Sequence, residues 1–175
     1  MPMRTPPTPY GSALRRVGRA LLALPSWLAW FLPLGWMGFI WFLSSQRLDT
    51  PGGAFGLWGF LGNLAHAPLF GFLALFWIAL LLRGKGTGWP RLGGRVAGLV
   101  MLLVGGYGVI DEWHQSSTGG RQSSASDVLT DVVGAVCVLW IVHVLGDEGV
   151  TEGALRRRLL AGVALCAVAA WLALL

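Results

Sequence analysis

The sequence predicts an all-α integral membrane protein, a bundle of about five transmembrane helices. Three observations support this fold class. Of the 175 residues, 55% are hydrophobic and only 12% are charged, whereas soluble proteins devote about 25% of their residues to charge. Long apolar runs follow one another along the chain, and most basic residues lie in alternate connections between those runs. This arrangement is typical of membrane helices and their loops.

The first residues of the chain differ in composition from the rest. Residues 1–19 are rich in proline and arginine, and no hydrophobic period begins before Leu14. We expect this basic tail to be disordered. Residues 20–46 then carry no charge, and this run is too long for the apolar region of a cleaved signal peptide, which has about 7–15 residues. A transmembrane domain is therefore expected over residues 20–175.

The apolar runs of this domain predict five spanning helices. The glycines that precede the second helix are expected to form a loop at the membrane interface. The third and fourth runs contain 15 uncharged residues each, or about 22 Å of helix, and a bilayer core needs about 20 residues. Both helices must therefore take carboxylates into or just below the interface, where such groups are costly. The predicted helices lie at about 24–45, 61–82, 95–115, 127–146 and 158–175.

The basic residues predict the orientation in the membrane. Eleven lie in the N-terminal tail and in the connections at 83–95 and 147–158, whereas the other two connections hold only Arg47 and Arg121. The positive-inside rule then places the N-terminus in the cytoplasm and, with five spans, the C-terminus outside. The net charge of +5 does not indicate nucleic-acid binding, because the basic residues form short clusters between apolar runs and no continuous stripe.

With this topology, polar residues from three helices converge at the outer end of the bundle. On each helix they are spaced three or four residues apart and so share a face. Polar faces are expensive against lipid, so we expect them to face one another. The candidate site residues are His66, Asp111, Glu112, Gln115, Arg121, Asp127 and Asp131.

Structural interpretations of several of these residues stay open. Asp127 could cap the N-terminus of the fourth helix, and His66 could bond a backbone carbonyl. Glu112 and His114 could face water at the interface. Asp131 lies one turn inside its helix, where capping no longer explains a carboxylate, so a functional role is favoured there.

The polar residues also occur in an order that resembles the signature of the VanZ-like family. That signature reads DE-x-x-Q, then R, then D-x-x-x-D-x-x-G, and the resemblance covers about residues 45–140. After the histidine the family often has an aromatic residue and, further on, a tyrosine. This chain has Ala67 and Phe70 there, so a role of that tyrosine hydroxyl does not carry over. The matching residues are Ser44-Ser45-Gln46, Asn63, His66, Asp111-Glu112, Gln115, Arg121, Asp127, Asp131 and Gly134.

The resemblance implies a bacterial cytoplasmic-membrane protein, and the family's founding member is associated with low-level resistance to teicoplanin-type glycopeptides. Two functions stay open. In the first, the chain is an enzyme acting on a lipid-linked envelope molecule, with His66 as general acid or base and Arg121 holding an anionic headgroup. In the second, the polar residues form a structural network that presents a groove for a lipid, a lipoglycopeptide or a partner protein.

Other sites are less well indicated by the sequence. Three carboxylates with one histidine could hold a divalent cation, although no metal-binding motif spacing is present. The sequence indicates neither a cofactor nor an oligomeric state. Cys137 and Cys166 have no partner at metal or redox spacing and are interpreted as small core residues.

Reporter fusions test the predicted topology. Fusions after residues near 90 and 152 are expected to show cytoplasmic activity, and fusions near 55 and 120 to show exported activity, because the basic connections stay inside. An exported signal at residue 90 would contradict both the orientation and the placement of the polar residues on the outer face.

Overall fold

All regular secondary structure in the described part of the chain is helical. A computed structural model describes residues 9–46, 56–84, 90–117, 125–147 and 149–174, and within these ranges there is no strand. Four of the helices, α2 to α5, are long and apolar enough to cross a bilayer, so the all-α class is confirmed and four of the about five predicted spans are matched. The six helices are α1 (Pro9–Leu22), α2 (Ser26–Ser44), α3 (Leu57–Leu82), α4 (Gly94–Ser117), α5 (Ala125–Leu145) and α6 (Glu152–Leu172).

Helix α3 lies at the centre of the bundle and contacts each of the other five helices. Its Phe70, Leu73 and Ile78 side chains are fully buried, and they pack with Val100 and Val104 of α4 in one apolar core. The outer surfaces of the helices are also apolar and well exposed. Surfaces of this kind are stable against acyl chains rather than water.

Helix α6 is the fifth predicted span, and its length and composition do not place it with the other four. Thr151 caps its N-terminus by accepting a hydrogen bond from the Ala154 amide. The second turn carries Arg156, Arg157 and Arg158, so only residues 159–172 remain as uncharged helix, about 21 Å. The fifth span, and with it the outside position of the C-terminus, stays a prediction.

Two predicted helix starts differ from the structure by four residues or more, and one of them is α6, which begins at Glu152 and not near residue 158. The second span begins at Leu57, so Gly59 lies inside α3 and not in the predicted loop. No proline or charge interrupts this stretch, and its apolar side chains can continue to face lipid, so the helix extends by one turn. The remainder of the predicted loop, residues 47–55, lies outside the described residues.

The N-terminal tail is the larger difference. Residues 9–19 were expected to be disordered, but they belong to helix α1. The tail carries apolar residues such as Leu14 and Val17 at helical spacing, with arginines on the opposite side, which is the pattern of an amphipathic helix. The prolines that precede this stretch favoured the prediction of disorder. Residues 1–8 lie outside the described residues.

Helices α3 and α5 touch backbone to backbone. A Cβ atom added to Gly134 would overlap the backbone carbonyl group of Ala67, and one added to Gly71 would lie 3.5 Å from the Gly134 carbonyl oxygen. Small residues at both positions therefore allow the close helix approach that is common within membranes.

Gly134→Ala tests this contact. The added methyl group must force α3 and α5 apart, and overpacking of this kind costs about 1–3 kcal/mol. We expect a lower melting temperature in detergent. Gly106→Ala is the matched control, because Gly106 is exposed and a Cβ there meets no atom within 4 Å. Equal melting temperatures for the two variants would contradict the backbone contact.

Candidate polar site

Nine polar side chains from four helices meet at one end of the bundle. Because α2 to α5 alternate in direction, the end of α2, the start of α3, the end of α4 and the start of α5 lie together. All buried charged, amide and imidazole side chains within the described ranges belong to this group. The predicted polar faces therefore do face one another. We call the group the polar cluster: Ser44, Asn63, His66, Asp111, Glu112, Gln115, Asp127, Thr130 and Asp131.

A histidine and an aspartate form the centre of the polar cluster. Nδ1 of His66 lies 3.0 Å from Oδ1 of Asp131, whose side chain is 0% exposed. When the carboxylate is ionised, Nδ1 of His66 is the donor of this hydrogen bond, and a neutral imidazole then carries its lone pair on Nε2. Phe70, one turn further along α3, lies parallel to the imidazole ring with the ring centres 6.2 Å apart. An ionised Asp131 therefore favours the tautomer of His66 that has its proton on Nδ1.

The second oxygen of Asp131 has a different environment. Oδ2 is buried and has no hydrogen-bond partner among the described residues. It lies against Gly108, where an added Cβ would be 2.9 Å away. A buried carboxylate oxygen without a donor is costly, and it is able to accept a hydrogen bond from a ligand.

Asp111, by contrast, is satisfied on both oxygens. Its Oδ1 accepts a hydrogen bond from Ser44 Oγ at 2.6 Å, and its Oδ2 accepts one from Gln115 Nε2 at 2.8 Å. One turn deeper, the Tyr107 hydroxyl donates to the Met37 carbonyl at 2.5 Å. These bonds join α4 to α2 at two levels.

Comparison with known proteins shows the family to which this chain belongs. A family model described as VanZ/LLP1 matches residues 15–146, about three quarters of the chain. The chain belongs to the VanZ family. No curated protein and no solved structure gives a significant match. The match ends beside the C-terminus of α5 and so leaves α6 outside the family segment.

The structure decides between some of the interpretations that the sequence left open for individual residues. Glu112 is buried and does not face water. His114 is partly buried and stacks on Trp41, with ring centres 3.6 Å apart. Asp127 is buried within the first turn of α5 and is not the N-cap residue, since the helix begins at Ala125. Its carboxylate still complements the helix dipole there. Arg121 lies outside the described residues.

Three members of the polar cluster were not among the candidate site residues: Ser44, Asn63 and Thr130. Ser44 was noticed only through the family resemblance, and Thr130 was not noticed at all. Thr130 is fully buried, and its hydroxyl donates to the Ser126 carbonyl one turn earlier at 3.2 Å. Single hydroxyl residues in apolar helices satisfy themselves in this way, so their position in a sequence gives little signal.

Two further expectations concern a divalent-cation site and the environment of the two cysteines. No group of three or more His, Cys, Asp and Glu side chains in that part of the chain is arranged to hold a metal ion. Cys137 is buried, as expected for a core residue, but its sulfur lies 4.0 Å from that of Cys166 on α6. The spacing of cysteines along a sequence does not show contacts between separate helices.

Gly108→Ala tests the position of Asp131. An added Cβ 2.9 Å from Oδ2 must displace the carboxylate and weaken its bond to His66. We expect the ring-nitrogen NMR signals of His66 to shift in detergent-solubilised, histidine-labelled protein. Gly105→Ala on the same helix is the control, because its nearest contact is an ordinary 3.9 Å to Val132. An unchanged His66 spectrum in Gly108→Ala would contradict the geometry.

Proposed function

We propose that the polar cluster binds a lipid-anchored molecule of the cell envelope and that His66 exchanges a proton with it. Asp131 acts as the residue that positions His66. The observation that supports this proposal is the Asp131 carboxylate. One oxygen holds His66, and the other is fully buried without a donor among the described residues. A site built to receive a donor from a ligand has this property, whereas a purely structural network satisfies its members.

The proposed chemistry is general base catalysis. With Nδ1 donating to Asp131, Nε2 of His66 accepts the proton of an attacking hydroxyl group on the ligand or of a water molecule. The imidazolium that forms is stabilised by the adjacent carboxylate, and it returns the proton to the leaving group. Positioned general bases contribute about 10²–10⁴-fold to the rate.

The surroundings of the polar cluster favour a ligand that arrives from the bilayer. The cluster lies where four apolar helices end, at the level of lipid headgroups. On α4 the neighbouring Val109, Ile110 and Trp113 side chains are exposed on the outside of the bundle and would contact acyl chains. A molecule with an apolar anchor and a polar headgroup fits this position. Arg121, in the connection between α4 and α5, is the proposed partner of an anionic headgroup.

The cellular setting follows from the same proposal. We place the chain in the bacterial cytoplasmic membrane with its N-terminus inside, so that the polar cluster faces outward. The association of the VanZ-like family with teicoplanin-type resistance makes lipid-linked cell-wall precursors the first substrates to test. A contribution of this chain to glycopeptide resistance is part of the proposal.

A structural network is the second candidate, and the closed set around Asp111 favours it. Both Asp111 oxygens are satisfied by Ser44 and Gln115, as the members of a structural network are. In that case the cluster joins α2 to α4 and shapes a groove for a lipid or lipoglycopeptide, without catalysis.

The variants His66→Gln, Asp131→Asn and the double variant separate these functions. Purified proteins are incubated with a panel of envelope lipids, and products are detected by mass spectrometry. An enzyme should lose about 10²-fold or more of its activity in each single variant. The double variant should be no worse than the single ones, because the two residues act as a unit.

Thermal melts of the same proteins measure whether each substitution changes the stability of the fold. A structural network should lose stability on each single change, by about 3–5 kcal/mol if the pair resembles those in soluble proteins, and should regain part of it in the double variant. His143→Gln is the control, since His143 is exposed and bonds only the Leu92 carbonyl among the described residues. Absence of any product from the wild-type protein, together with strong coupling in the melts, would refute the catalytic role.

A further inference from the structure

Helix α1 has three distinct faces. Gly11, Arg15 and Gly18 pack towards the bundle, since the two glycines are buried and Arg15 is partly buried. At 100° per residue, the exposed side chains Tyr10, Leu14 and Val17 lie together on one flank. The exposed Arg16 and Arg19 lie roughly 160° away on the other flank. The face against the bundle separates the two.

Two hydrogen-bonded contacts fix the level of α1 along the bundle. Arg15 donates from Nε to the Leu145 carbonyl at 3.0 Å and from Nη2 to the Asp147 carbonyl at 2.6 Å. Leu145 is the last residue of α5 and Asp147 follows it by two residues, and a helix C-terminus attracts cations. Arg83, just after α3, donates to the Leu24 carbonyl at 2.7 Å. Helix α1 therefore lies where α3 and α5 end, at the opposite end of the bundle from the polar cluster.

The surroundings of α1 at this level are basic. Arg91 and the three arginines 156–158 lie in connections or helix starts at the same end. Asp147 is already paired with Arg91 at 3.6 Å, and no described carboxylate forms an ion pair with Arg16 or Arg19. The charge at this end is therefore complementary to an anionic surface.

We propose that α1 is an in-plane membrane-surface helix that binds anionic phospholipid headgroups. Tyr10, Leu14 and Val17 insert among the acyl chains, and Arg16 and Arg19 contact lipid phosphates. An apolar flank opposite a basic flank, at the level where spanning helices end, is the arrangement that such helices use. This inference concerns the opposite end of the bundle and does not depend on the chemistry proposed for His66.

Hydrogen exchange of the full-length protein in nanodiscs tests the proposal. Amides of residues 10–22 are compared in phosphatidylcholine nanodiscs and in nanodiscs that also contain phosphatidylglycerol. We expect these amides to exchange at least about tenfold more slowly in the nanodiscs that contain phosphatidylglycerol, because the two arginines are attracted to an anionic surface. High salt should remove most of this difference without any substitution, because it screens exposed charges.

Substitutions then assign the effect to α1. Arg16→Ala with Arg19→Ala should abolish the lipid dependence, and the double lysine variant should keep most of it because the charge remains. Arg156→Ala with Arg157→Ala is the matched control. It removes two exposed arginines from the same end, and residues 10–22 should keep their lipid dependence.

Three results would overturn the proposal. Equal exchange in both lipids, whether slow or fast, would show that anionic headgroups do not bind α1. Fast exchange in both lipids is also the result expected if α1 binds a partner protein that is absent from the nanodiscs. Lipid dependence that survives in the α1 double alanine variant would place the lipid contact elsewhere. Loss of the dependence in the α6 control variant would show a general effect of charge.

Discussion

The contact between His66 and Asp131 depends on how closely α3 approaches α5. Gly134 lies one turn after Asp131, and its backbone lies against Ala67, the neighbour of His66. Any side chain at Gly134 would separate the helices and move the carboxylate away from the imidazole. A buried polar group that loses its partner is costly. The glycine is therefore as much a part of the site as the two residues that bond to each other.

Much of this arrangement could be predicted because it depends on local properties of the sequence. The lengths of apolar runs gave the four supported spans, and helical spacing placed the polar residues of each helix on one face. The short uncharged runs of α4 and α5 indicated that carboxylates enter the bundle. However, which carboxylate bonds His66 could not be predicted, because Asp111 and Asp131 both lie at the same end. The backbone contact of α3 with α5 makes that choice.

The features that could not be predicted depend on distant contacts. Helix α1 is short, and isolated helices of its length are marginal. Its Arg15 bonds the Leu145 carbonyl across 130 residues of sequence, and no local pattern reveals such a bond. Similarly, Cys137 and Cys166 meet only because α5 packs on α6. Glu112 is next to Asp111 in sequence, and its burial follows from helices packing on two sides of α4.

The distribution of the polar cluster over four helices also sets an order of assembly in the membrane. Helices that enter the bilayer from the N-terminus onward bring Ser44 first, so Asp111 finds its donors as soon as α4 arrives. His66 enters earlier, with α3, but gains its carboxylate only when α5 joins. The same arrival of α5 supplies the carbonyls that hold Arg15 at the other end. Insertion of this one helix therefore completes both ends of the protein at once, and a chain interrupted before α5 has neither.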